Sequence, residues 1–241
     1  DYFGLFDSYK CYTYSSGRFR PAAITPDKKC TGQWSGDFLN YITTTRIDAL
    51  RKVLYGGKRS VDTATTTELE RNYIPQDAHS FGKEYVSVAV SGYDISKYTP
   101  LALPGAGQNI LFANVTRLNF GNGEPRLRVM TGKNYRLWEW LSIERPVAEQ
   151  EVADNTNQRT NVGANIEDFI VRVRVCVAGL LEQDCRGYPD GSPTVYKPTG
   201  VLHEFGENDQ MRFGLMMGSY DNNLSGGVLR RNIADFSEEI D

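Results

Sequence analysis

Residues 169–177, Phe-Ile-Val-Arg-Val-Arg-Val-Cys-Val, alternate with period two. Phe169, Val171, Val173, Val175 and Val177 fall on one side, and Arg172 and Arg174 fall on the other. That is the pattern of a strand with one face on a core and one face in water. A lone strand cannot bury such a face, so the chain must supply partners. Residues 110–118, 126–130 and 136–143 are further strand candidates, and in 85–90 Val86, Val88 and Val90 alternate with Ser87 and Ala89. Turn residues punctuate them: Leu103-Pro-Gly-Ala-Gly107, Gly121-Asn-Gly123 and Gly132-Lys-Asn134. Residues 211–217 form a short apolar run suited to a buried strand.

One strong helix is expected, over 36–55. Ser35 or Asp37 can cap its first amides, and Gly56-Gly57 can supply a left-handed stop. Spaced at about 100° per residue, its apolar side chains cover well over half the circumference. A surface helix needs a stripe only a little over ~100° wide, so this helix is expected to be buried on more than one side. Arg46 falls inside the apolar arc and should need a buried ion-pair partner. The fold class is therefore α+β: one long buried helix with a β-rich remainder.

Cys11 and Cys30 lie among turn residues, so residues 1–33 are expected to form an irregular, stapled lead-in. Cys176 and Cys185 bracket a short polar loop. Local pairing would close loops of about 20 and 10 residues, each worth ~2–4 kcal/mol. Four cysteines still permit three connectivities. Neither pair has the short spacing of a zinc site, so disulfides and an oxidising compartment are expected.

The 27 basic and 30 acidic residues are mixed along the chain, with no basic run to track phosphates, so no nucleic-acid partner is expected. No segment reaches the ~18 apolar residues of a membrane span. A chain opening at Asp1 with no targeting segment is expected to be a mature or excised piece. Twelve per cent of the residues are aromatic, with 14 Tyr, which suits half-buried sheet faces and contact surfaces.

Catalytic constellations are weak, and no enzyme is expected. His79 beside Asp77 lacks a nucleophile. His203 and Glu207 would share a face only on a helix, and Gly206 argues for a loop. Glu207, Asn208 and Asp209 are weak oxygen ligands for calcium. Trp138, Glu139, Trp140 and Glu144 suggest a carbohydrate-binding or glycan-hydrolysing site, although on a strand the two Glu residues would point to opposite faces. The sequons at Asn114 and Asn223 carry no information in a bacterial protein.

Several blocks look familiar together. Trp34-Ser-Gly-Asp-Phe-Leu-Asn-Tyr-Ile-Thr-Thr-Thr-Arg-Ile-Asp-Ala-Leu-Arg-Lys-Val-Leu-Tyr-Gly-Gly57, Tyr73-Ile-Pro-Gln-Asp-Ala-His-Ser80, Trp138-Glu-Trp-Leu-Ser-Ile-Glu-Arg-Pro146, Leu202-His-Glu-Phe-Gly-Glu-Asn-Asp209 and the segment 213–230 resemble the PilY family of type IV pilus tip-associated adhesin and assembly proteins. The resemblance implies a piece of a von Willebrand factor A-like α/β domain. Residues 1–57 would be its stapled lead-in and first helix, 58–205 a β-rich insertion, and 206–241 the return to a core strand. It implies placement outside the cell at the pilus tip, reached through the periplasm. Expected partners are minor pilins or the tip complex, and a host or abiotic surface ligand. Loops 100–108, 148–165 and 186–200 are expected to be presented, 148–165 as a mobile segment. A purely structural spacer of the tip is the alternative.

The metal-ion adhesion motif Asp-x-Ser-x-Ser is absent, the nearest string being Asp62-Thr-Ala-Thr-Thr66. No cofactor is therefore assigned, and calcium belongs only to a longer protein.

Overall fold

The computed structural model describes residues 1–74, 80–116, 123–134, 165–189, 194–218 and 227–234. Within them the periodic segment is divided. Strand β9 (Asn165–Ile170) and strand β10 (Arg172–Val175) flank Val171 and join different sheets. In the first sheet, β9 pairs with β8 (Pro125–Lys133), which pairs with β7 (Asn109–Thr116), which pairs with β6 (Phe81–Tyr85). In the second, β10 lies between β2 (Arg18–Ile24) and β5 (Thr66–Glu70). That sheet is extended by β1 (Lys10–Ser15) and β3 (Trp34–Ser35) on one side and β4 (Arg59–Thr63) on the other.

Val171 itself is held from both sheets. Its amide donates to the Pro125 carbonyl at 2.8 Å, and its carbonyl accepts from the Arg71 amide at 3.1 Å. Phe169, Val171, Val173 and Val175 are all buried, so the alternation continues through the change of sheet. Arg172 on the opposite face meets Glu70 at 2.6 Å and Glu124 at 3.1 Å.

The region expected to be an irregular lead-in is a regular hairpin. β1 and β2 are joined at Ser16 and Gly17, both at positive φ (52° and 75°), as a two-residue turn that matches strand twist. The hairpin places Tyr12 and Phe19 in the core, where Phe19 meets Phe6 edge-on at 5.3 Å and Trp34 at 6.1 Å. Because β2 pairs with β10, strands on both sides of position 58 share one sheet. The boundary expected at 57/58 therefore cuts through a single layer. Apart from that β10–β2 contact at Val173 and Phe19, every pairing among the described strands is antiparallel. The parallel sheet of an A-like domain is not found among the described residues.

The single helix expected over 36–55 is two helices, α1 (Gly36–Thr43) and α2 (Arg46–Tyr55). The break lies in a run of threonines. Thr43 Oγ1 donates back to the Leu39 carbonyl at 2.7 Å, and Thr45 takes an extended backbone and caps α2 in a box with Asp48. Hydroxyls that can bond nearby backbone compete with helix continuation. The change of axis also removes the basis for a wide apolar arc. Phe38, Leu39 and Ile42 of α1 are buried, but Leu50 and Val53 of α2 are 51% and 46% exposed. Arg46, at the start of α2, is exposed.

The buried cation is Arg71 instead. It donates to Asn114 and to the Arg126 carbonyl. Burial draws its guanidinium down to about 9, against the pull of Asp48 and Glu70, so it stays charged at neutral pH.

Three smaller expectations are also corrected. The strand expected over 85–90 stops at Tyr85, and Ser87 caps the short helix α3 (Val88–Ser91), leaving Val88 and Val90 exposed. Around His203 the chain forms the short helix α4 (Val201–Gly206) rather than a loop. It follows the hairpin of β11 (Cys185–Tyr188) and β12 (Val195–Pro198). The run at 211–217 does form a strand, β13 (Phe213–Gly218), but it is exposed and pairs only with β14 (Gly227–Ala234).

Gly56 ends α2 at φ 83°, and a Cβ there would lie 2.4 Å from the Pro198 carbonyl oxygen. Gly92 has the same φ, but a Cβ there meets nothing within 4 Å. Gly92→Ala is expected to cost about 1 kcal/mol, and Gly56→Ala about 2–4 kcal/mol because overpacking is added. Equal losses in urea unfolding would show that the end of α2 does not rest on the 198–200 turn.

Candidate functional site

The N-terminal segment is laid across α1 by one buried side chain. Asn40 Oδ1 accepts from the Phe6 amide at 3.0 Å, while its Nδ2 donates to the Tyr2 and Phe6 carbonyls at 3.0 and 2.8 Å. Asp37 accepts from the Tyr2 amide at 2.9 Å. Gly4 is needed for the close approach, since a Cβ there would lie 2.0 Å from Thr44 Oγ1. Leu5 and Phe6 enter the core, whereas Tyr2 and Phe3 are left 49% and 58% exposed on an anchored backbone.

Two grooves meet at Tyr2. The larger, of about 990 Å³, runs between the N-terminal segment, α2, the 182–186 turn and α4. Phe3, Tyr9, Val53 and Val201 give it apolar surface, and the Lys52–Asp184 ion pair (2.5 Å) lies in its wall. The smaller, of about 410 Å³, is lined by Tyr2, Asp37, Phe38, Tyr41, Ser91, Tyr93 and Tyr98. Its rings tilt against one another, with centroids 4.8 Å apart for Tyr2 and Tyr41 and 5.8 Å for Tyr93 and Tyr98. Lys83 Nζ sits 4.8 Å from the centre of the Tyr41 ring. Burial pushes the Tyr93 hydroxyl far above its ordinary range, and the neighbouring tyrosines add to the shift. It is a neutral donor and acceptor at any physiological pH. Such walls offer flat apolar faces with polar rims, the chemistry of a contact surface.

The wall of the larger groove is braced by a buried ion pair. Lys10 Nζ meets Glu182 Oε1 at 2.8 Å, the Leu180 carbonyl at 2.7 Å and Asp7 at 3.3 Å. Glu182 Oε2 accepts from the Cys176 amide at 2.7 Å. The bridge spans 172 positions of sequence and sits between both staples, Cys11–Cys30 and Cys176–Cys185. The two cysteine pairs are thus the local ones. Cys176, Glu182 and Cys185 also form a compact donor group, but both sulfurs are bonded to each other and Lys10 occupies the carboxylate. The group does not fit a metal ion.

The calcium candidates are committed elsewhere. Glu207 accepts from the Tyr188 hydroxyl at 2.5 Å and pairs with Arg186 at 2.6 Å. Asn208 Oδ1 accepts from the Gln210 amide, and Asp209 takes positive φ at 57°. His203 Nδ1 accepts from the Gly200 amide, and burial holds its pKa below the ordinary value. Loop 100–108 is largely exposed, as expected. Asp77, His79, Trp138, Glu139, Trp140, Glu144, residues 148–164 and the sequon at Asn223 lie outside the described residues. Among those described, no helix is long and apolar enough to cross a membrane. Sequence reasoning missed Tyr2, Phe3, Tyr93 and Tyr98, for which the tyrosine excess was the available signal.

Residues 1–130 match the family described as "PilY1 homolog, small alpha/beta domain". Residues 213–241 match "PilY1 homolog, second domain". A protein of Xylella fastidiosa strain Temecula1 named "Type IV pilus biogenesis factor PilY1 homolog" is 50% identical over 99% of this chain. A second of the same name and organism is 29% identical over 95% of it. The chain spans 17% and 18% of the lengths of these curated relatives. No solved structure matches it.

If the Lys10–Glu182 bridge braces the groove, Glu182→Gln leaves a buried ammonium without its nearest counter-charge. The expected loss is about 3 kcal/mol, measured in urea with both disulfides intact. Adding Lys10→Met should restore much of it. A single-variant loss under about 1 kcal/mol would mean that the bridge does not hold the wall.

Proposed function

The chain belongs to the PilY1-homolog family, and we propose on that basis that it is a contact module of a type IV pilus assembly and tip protein. It acts by binding, without turnover. The observation that carries this reading is the family match over residues 1–130, the part of the chain that supplies the anchored N-terminal segment and the whole smaller groove. The relatives' printed role in type IV pilus biogenesis supports pilus machinery as the partner. Two disulfides support passage through an oxidising compartment and so a periplasmic or extracellular location.

Within that proposal the partners are minor pilins at the tip, and the exposed Tyr2 and Phe3 are the first contacts. Rigid aromatic side chains on a pinned backbone lose little entropy on docking, which is why such residues dominate interfaces. Adhesion to a host or abiotic surface would use the same faces once the tip is assembled.

The reading is tested by titrating the chain against purified soluble minor pilins, in wild-type form and as the Tyr2→Ser/Phe3→Ser double variant. Both side chains are largely in water, so the melting temperature should hold. Affinity should fall by about tenfold or more, equivalent to ~1.4 kcal/mol. Absence of wild-type binding, or a double variant that binds as tightly, would contradict the proposal. Binding instead to glycans on an array would favour a carbohydrate-recognising domain.

A further inference from the structure

The hairpin β13–β14 hydrogen-bonds to no other described strand and forms its own two-stranded sheet. Leu215, Met216, Met217, Val228, Leu229 and Ile233 on it are between 38% and 73% exposed. An isolated two-stranded hairpin is marginal in water, and apolar exposure on this scale marks a surface that something covers.

The register says how many faces are covered. Met217 lies opposite Val228, and the adjacent Met216 lies opposite Leu229. Paired residues share a face, and successive residues point to opposite faces. One apolar pair therefore stands on each side of the sheet. A hairpin at the surface of a sandwich would keep one side polar, whereas apolar residues on both sides read as a strand pair covered twice.

The second-domain match begins at Phe213, the first residue of β13. The curated relatives continue well beyond the length of this chain. We propose that β13–β14 is an inner hairpin of a second unit, and that polypeptide from outside this chain lays an apolar layer on each of its two faces. The segment after α4 is then the joint between the units. The proposal rests on the second-domain match and not on the pilus-contact reading, so the two can fail separately.

The four methionines of the chain make the test internal. Met130 is buried in the first unit, Met211 lies in the joint at 50% exposure, and Met216 and Met217 report the two faces. Hydrogen peroxide oxidation would be followed by peptide mass spectrometry in the 241-residue chain and in the full-length polypeptide that contains it. In the short chain, Met211, Met216 and Met217 should oxidise at similar rates while Met130 resists. In the full-length protein, Met216 and Met217 should both slow by about tenfold or more, with Met211 little changed. Protection of only one of the pair would overturn the two-face assignment, and protection of neither would overturn the proposal. Protection already present in the short chain and rising with its concentration would assign the cover to a second copy, and so overturn it too.

Discussion

Val171 is the residue on which the two larger sheets turn. It leaves β9 with its amide bonded to Pro125 and enters β10 with its carbonyl bonded to Arg71, so both layers are fixed by one continuous backbone. Its side chain is wholly buried, as are Val173 and, nearly so, Phe169. Because β10 then pairs with β2 and β5, the N-terminal hairpin and the residues after the helices cannot be separated into lead-in and insertion. Arg71 completes the junction, tying β5 to Asn114 of β7, which in turn donates to the Ile42 carbonyl of α1 at 2.5 Å. A charge buried this deeply is tolerated because its donors are spent on fixed acceptors.

The features legible in sequence were those set by local chemistry. The alternation at 169–177 gave the buried face residue by residue, and β7 and β8 appeared close to where their apolar runs lie. Ser35 and Gly56 capped the ends of the helical region as their side chains suggested. Other features required tertiary information. The sheet change at Val171 leaves no mark on a period-two pattern, because both halves keep the same face inward. The break at Thr44 was signalled by three successive threonines, but an apolar arc computed about one axis hid it. The β1–β2 hairpin carried a Ser-Gly turn, which the surrounding prolines and cysteines obscured. The exposed strand at 213–218 has the composition of a core strand because its cover belongs to another unit.

The surface has the same origin. Asn40 spends its whole amide on the segment 2–6, which allows Tyr2 and Phe3 to be exposed without being loose. Lys10 and Glu182 set the opposite wall across almost the length of the chain. Neither groove holds a nucleophile with a base, nor a set of free ligands for an ion, among the described residues. What remains is shaped, aromatic and neutral at its centre, which suits recognition of another folded surface better than chemistry on a small substrate.

The central structural claim is that residues 1–33 belong to the same cooperative unit as the segment around Val171, and so present a rigid face. Native-state hydrogen exchange with increasing denaturant measures this most directly. The Phe6 and Phe19 amides should exchange with the same opening free energy as Val171 and Val173, and all should converge on global unfolding. Exchange of residues 1–33 through a separate opening of much lower free energy, with Val171 still protected, would contradict it.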